Sequence, residues 1–142
     1  MKISVPKLLR LDFLPHSADA GLLVLRLWLG LSMLFLHGWS KVTDFSAMAD
    51  QFPDPIGLGS RTSLVLAAFA EAICSALIVL GLFTRFAAIV LAINMATAFF
   101  LVHKSALTGP NSGELAFLYL AGWVTLLVAG PGRFSLDAKM GR

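Results

Sequence analysis

Four apolar runs alternate along the chain with short connections rich in polar residues, glycine or proline. The first extends from about Ala18 to Trp39 and is interrupted only by Arg26, Ser32 and His37. The second, from about Arg61 to Phe83, carries Glu71 near its middle, and the third, from about Arg85 to Val102, carries Asn94. The fourth runs from Glu114 to Ala129 and stops at Gly130, Pro131 and Gly132, residues that terminate helices. A helix needs about 20 residues to cross a bilayer, so the pattern predicts an all-α integral membrane four-helix bundle with spans over about 18–39, 61–83, 85–102 and 114–129. A soluble helix shows a polar face, whereas the stretch from Leu64 to Leu82 shows almost none.

The connections refine this picture. Ser40 to Ser60 contains the helix breakers Pro53, Pro55, Gly57 and Gly59, yet Phe45, Met48, Phe52, Ile56 and Leu58 keep it apolar, as expected of a loop lying on the membrane surface or folded over the bundle. Only Thr84 and Arg85 separate the second and third runs, so those two helices are expected to be antiparallel neighbours. A turn marked by Gly109, Pro110, Asn111 and Gly113 leads into the fourth, and the segment from Arg133 to Arg142 reads as a short polar tail.

Composition agrees. Hydrophobic residues make up 58% of the 142-residue chain and charged residues 13%, against roughly 25% charged in an ordinary soluble domain. That leaves room for one transmembrane domain over 1–142 and none for a separate soluble module. The net charge is +3, but the basic residues are scattered at helix ends, so nucleic acid is not an expected partner. Lys2, Lys7, Arg10, Arg85, Arg133, Lys139 and Arg142 fall on one side of the predicted bundle and only Lys41, Arg61 and Lys104 on the other, which predicts both termini in the cytoplasm. The residues before the first run include Pro6, Asp12, Pro15 and Asp19 and show no short apolar core with a small-residue cleavage site, so no cleaved signal peptide is expected. Cys74 is the one cysteine, which excludes an internal disulfide and a CxxC pair.

The candidate chemistry lies in the polar residues within the runs. An ionisable side chain at mid-bilayer costs roughly 2.5 to 3.5 kcal/mol on insertion scales and asks for a partner or a role. Counted from the cytoplasmic ends at about 1.5 Å per residue, Arg26 lies about 11 Å deep, Asn94 about 14 Å and Glu71 about 18 Å, an offset an arginine stem can cover. A neutralising Arg26–Glu71 contact with Asn94 as hydrogen-bond donor is therefore expected, either to set helix register or to form a proton-linked or ligand-binding centre. Arg26, Gly30, Met33, His37 and Lys41 form one stripe of the first helix, within roughly 60° of one another. At its outer end this stripe brings His37 and Lys41 to the depth of His103, Lys104 and Glu114. Such a group is suited to pass protons to a quinol or to hold an anionic substrate, and equally to reach headgroups as interfacial residues do. No His pair at i, i+4 is present and no metal site is expected. Trp28, Trp39 and Trp123 read as interface anchors or lipid-facing bulk, and Cys74 and Ser75 beside Ala70, Ala72 and Ala76 read as a close-packing face.

The run from Arg26 to Gly30, then His37, Gly38 and Lys41, Glu71, Gly81 to Arg85, His103, Glu114, Gly130 to Gly132, and Ser135 to Asp137 resembles the DoxX family, over about residues 20–137. The resemblance implies a small four-helix protein of the bacterial cytoplasmic membrane, in a superfamily that includes the small subunit of thiosulfate:quinone oxidoreductase. It implies a membrane subunit of a redox complex linked to quinone or to sulfur or thiol metabolites, with Arg26, Glu71, His37, Lys41, His103 and Glu114 as the polar site. The cofactor is left open, with quinone as the candidate, and the candidate partners beside the lipid bilayer are a soluble redox protein and a second copy of the chain. Related four-helix proteins that do thiol chemistry use cysteine pairs, which this chain lacks. The rival expectation is a non-catalytic membrane scaffold that positions a soluble partner.

Overall fold

A computed structural model describes residues 6–141; Lys2 and Arg142, two of the cations that set the expected orientation, lie outside the described residues. All regular structure among the described residues is helical. Three helices are long and apolar enough to cross a membrane: α1 over Ala18–Thr43, α2 over Ser60–Leu80 and α3 over Thr84–Val102. A fourth apolar helix, α4 over Glu114–Ala129, has 16 residues and is about 24 Å long, short of the hydrocarbon thickness of about 30 Å. Single helical turns lie at Lys7–Arg10, Phe45–Met48 and Leu136–Lys139.

Local sequence explains where the helices start and stop. Ser17 caps α1, its Oγ accepting from Ala20 N at 3.1 Å, with Asp19 favourably placed in the first turn. At the end of α2, Gly81 takes φ +67°, Leu82 N donates to Leu77 O at 3.0 Å and Gly81 N to Ile78 O at 3.1 Å. This is a Schellman ending, which needs a residue free of a Cβ penalty. It turns the chain directly into α3, making α2 and α3 antiparallel as expected.

Small residues let the helices approach closely. A Cβ on Gly30 would lie 2.7 Å from Val79 Cγ2 and 3.3 Å from Ser75 O on α2. Gly38 sits tighter still: a Cβ there would lie 2.7 Å from Ala72 N and nearer yet to the Glu71 carbonyl. Without glycine at both positions α1 could not pack on α2. Met33, Cys74, Ile78, Leu91, Tyr119, Trp123 and Leu126 fill the space between the four helices. Trp123 is fully buried there, not an interface anchor, whereas Trp28 and Trp39 are exposed on the outside of α1.

Two π-helical turns interrupt α1 and α2, at Leu34–Gly38 and Phe69–Cys74, and a third, Ala98–Val102, ends α3. The first two meet at the Gly38 contact. A π turn re-aims side chains relative to a regular helix and is frequent at functional sites; here the two turns contain His37 and Glu71.

The segment after α4 is not a free tail. Gly130 and Gly132 take positive φ and turn the chain back under the assembly. Arg133 N then donates to Asp19 Oδ1 at 2.9 Å, Ser135 Oγ donates to Gly132 O at 2.6 Å, and Ser135 and Asp137 become buried. The Asp137 carboxylate accepts from Phe83 N and Thr84 N, both at 2.9 Å, and Asp137 N donates to Gly81 O at 2.8 Å. One side chain therefore caps the start of α3 and holds Phe83 in the left-handed region, at φ +47°.

Replacing Asp137 with alanine strands two helix-end N–H groups and removes the carboxylate facing Arg26. The expected loss is roughly 3 kcal/mol or more of unfolding free energy in detergent, against about 0.5 kcal/mol or less for Lys139→Ala on the exposed side of the same turn. Equal melting of the two variants would show that the return segment does not hold the helices together.

Candidate functional site

Glu71 lies on the face of α2 turned toward α1 and α3, and three groups meet there. Lys41 Nζ approaches Glu71 Oε2 to 2.6 Å, and Asn94 Nδ2 donates to Glu71 Oε1 at 2.9 Å. Lys41 and Glu71 side chains are only 13% and 8% exposed, so this is a buried pair whose attraction water does not screen. Lys41 gets there by folding back along its own helix, where Nζ also donates to the His37 carbonyl at 3.2 Å. That carbonyl belongs to the first π turn.

The expected Arg26–Glu71 contact is therefore not formed. Arg26 is level with Gly81, ten residues beyond Glu71 and so about 15 Å further along α2, too far for a guanidinium to reach. The start of α1 projects past the end of α2 and packs against the return segment, so equal counting from helix ends misjudged the depths. Buried Arg26 instead donates from Nη2 to Phe134 O at 2.5 Å and faces Asp137.

The expected outer group also separates. His37 stands edge-on to Tyr119, with ring centroids 5.8 Å apart, and Tyr119 OH donates to Ser32 Oγ at 2.7 Å. The His37 backbone carbonyl accepts from Lys41 Nζ at 3.2 Å, which puts His37 in the same layer as Lys41 and Glu71. His103 turns away into the α3–α4 connection, where its Nδ1–H donates to Asn111 O at 3.1 Å. Glu114 is exposed in the first turn of α4, a favourable place for a carboxylate at a helix N-terminus. Among the described residues no three His, Cys, Asp or Glu side chains converge as metal ligands. Of the candidates, the structure brings together Glu71, Lys41 and His37, with Asn94, and leaves Arg26, His103 and Glu114 elsewhere.

Lys41, Glu71 and Asn94 form the floor of a cavity of about 500 Å³ between α2 and α3. Ala67, Ala70, Val90 and Ala98 line its walls, and exposed Leu66, Phe69 and Ile93 stand at a mouth that opens sideways from the helices. Its outer side is covered by Phe52, Pro53, Pro55 and Ile56, so the connection between α1 and α2 folds over the helices. Asp54 holds that cover in place: its carboxylate accepts from Leu58 N and Gly59 N, both at 2.9 Å, and from Ser63 Oγ at 2.9 Å. The Gly59 amide first, with the Ser63 hydroxyl and the Leu58 and Gly57 amides, holds this carboxyl below the usual carboxylate range. Pattern reading passed over Asp54 and Tyr119; an aspartate between two prolines and the chain's one tyrosine within an apolar run were the available signals.

Two expectations follow. In a double-mutant cycle, Glu71→Gln should cost roughly 3 to 5 kcal/mol by stranding the Lys41 ammonium, and adding Lys41→Gln should recover much of it, while Arg26→Gln should combine with Glu71→Gln additively within about 0.5 kcal/mol. Coupling of Glu71 to Arg26 in place of Lys41 would contradict this geometry. The second concerns pH. Because the folded-state pKa of Asp54 is depressed, its contribution is fully present above the unfolded value of about 3.9 and is lost as pH falls through the lower folded value. The mobility of a spin label already attached to a cysteine replacing Leu58 should be flat from pH 7 to about 5 and rise only below about 4; Asp54→Asn should remove this pH dependence.

Comparison with known proteins agrees with these features. The DoxX family model matches residues 21–104, which include Arg26, His37, Lys41, Glu71 and Asn94. An uncharacterized protein of Haemophilus influenzae is 37% identical over 112 residues, covering 75% of this chain and 81% of that protein. An uncharacterized membrane protein of Mycobacterium tuberculosis is 34% identical over 112 residues, covering 64% of this chain and 69% of its own length. No solved structure matches. With more than half of its length matched by the family model and its helices apolar enough to span a bilayer, the chain belongs to the DoxX family of membrane proteins.

Proposed function

We propose that this protein is the membrane subunit of a bacterial redox complex, and that the cavity between α2 and α3 binds a quinone. In this reading it is a single four-helix domain of the cytoplasmic membrane, crossing four times with both termini inside. The distribution of lysine and arginine supports that orientation. The observation that carries the proposal is the cavity with its floor: a lipid-facing apolar space of about 500 Å³ ending on Lys41, Glu71 and Asn94.

The chemistry of the floor selects among ligands. Lys41 and Glu71 neutralise each other, so the site offers no net charge and suits a neutral molecule better than a sulfur oxyanion. An ammonium and a carboxamide beside the cavity supply donors for a carbonyl oxygen, and the apolar walls suit a ring and its tail. The sideways mouth admits a molecule dissolved in lipid. The chain carries no cysteine pair, so a soluble redox partner supplies the electrons in this scheme.

One observation favours the rival scaffold reading: both Glu71 oxygens already have protein partners, as in a purely structural ion pair. Filling the cavity separates the two. Ala67 lines it and is buried, and Ala67→Phe should reduce quinone co-purified in mild detergent about tenfold or more while companion proteins are retained. Quinone absent from the wild-type protein, with a soluble partner still bound, would support the scaffold.

A further inference from the structure

The two ends of the helix assembly carry opposite charge. At the end where α1 begins and α4 stops, Lys7, Arg10, Arg26, Arg85, Arg133 and Lys139 stand against Asp12, Asp19 and Asp137. All three of those carboxylates are engaged: Asp12 with Arg10 at 3.0 Å, Asp19 with the Arg133 amide, and buried Asp137 with the start of α3. The opposite end carries Asp44, Asp50, Asp54 and Glu114 against Arg61 and Lys104, since Lys41 and Glu71 neutralise each other within the assembly.

At the basic end the cations are held on folded elements. Arg85 is in the first turn of α3, its Nε donating to Leu127 O at 3.0 Å with the rest of the guanidinium exposed. Arg133 lies over the Phe134 ring at 4.7 Å, on the return segment that Asp19 ties down. Lys7 and Lys139 are exposed, with no carboxylate partner among the described residues. Between these cations stand exposed apolar side chains: Leu8, Leu9 and Phe13 ahead of α1, and Phe134 and Met140 after α4. Cations interleaved with large apolar groups at the end of membrane helices match a phospholipid interface, where phosphates and acyl chains lie within a few ångströms of each other.

We propose that this end of the protein is a docking surface for anionic phospholipid headgroups, with Lys7, Arg85, Arg133 and Lys139 meeting the phosphates while Leu8, Leu9, Phe13, Phe134 and Met140 enter the acyl boundary. Lysine and arginine bind phosphate oxygens by charge-assisted hydrogen bonds. The exposed apolar side chains choose a lipid over an acidic soluble partner. The inference does not depend on the quinone reading or on which side of the membrane this end faces.

The test uses the full chain in nanodiscs of equal phosphatidylglycerol and phosphatidylcholine, with retained lipid counted by native mass spectrometry. Wild-type protein should retain phosphatidylglycerol preferentially. Each basic side chain near an anionic surface is worth about fivefold in binding, so the Lys7→Gln/Arg133→Gln/Lys139→Gln variant should lose at least that factor of enrichment, with its melting in pure phosphatidylcholine unchanged. Arg61→Gln/Lys104→Gln, at the other end, should keep the full enrichment. If the triple variant melts early, Lys7→Gln/Lys139→Gln carries the test, because neither side chain has a carboxylate partner among the described residues. Equal retention of the two lipids by wild type, enrichment that survives the basic-end variants, or binding of soluble polyglutamate without any lipid preference would each overturn the proposal.

Discussion

A carboxylate halfway along an apolar helix has to be neutralised and hydrogen-bonded, and the way Glu71 meets that demand organises the rest of the molecule. Its two oxygens draw Lys41 inward from the end of α1 and Asn94 across from α3, so one residue ties three helices. For Lys41 to reach it, α1 and α2 must approach until Gly38 touches the Glu71 backbone, and both helices pass through π turns at that level. Because a polar cluster resists close packing by apolar side chains, the space beside it between α2 and α3 stays open, and the loop latched by Asp54 covers it.

The other buried charge is handled by a different device. Arg26 is met by the chain that returns after α4, whose Phe134 carbonyl accepts from it and whose Asp137 also caps α3. Gly81 permits this, since any side chain there would collide with Arg26 and Ser135. The two polar centres thus stand about 15 Å apart and fasten different places: one holds the middle of the helices, the other closes the end where α1 begins and α4 stops.

Much of the fold was legible because hydropathy in a bilayer is a strong and local signal. Apolar runs, the glycine and proline stops and a very short link between α2 and α3 can be read without tertiary information, although the link is residues 81–83 and the expected Thr84 and Arg85 begin α3. The 40–60 connection read equally as a loop on the membrane surface or over the bundle, and the structure folds it over the cavity. The polar residues were legible as a list, and Glu71, Lys41, His37 and Asn94 were all on it. Their pairing was not, because an ion pair depends on how far one helix is displaced along another. Arg26 and Glu71 looked level when depths were counted from helix ends, and an unforeseen projection of α1 moved them apart. His103 and Glu114 looked convergent with His37, yet the α3–α4 connection turned His103 onto Asn111.

What the sequence by itself determined is the class of structure: the chain is too apolar for water, and residue spacing along each run sets which segments become helices and which small residues permit close packing. What only the tertiary structure decided is which charge neutralises which, that a short polar tail is a structural clamp, and that a covered cavity opens beside Glu71. Helix formation in lipid depends on each segment's own hydropathy and backbone hydrogen bonds, which are local. The partner of a buried charge depends on axial offsets between helices, which arise only when every small residue and side chain of the assembly has found its packing.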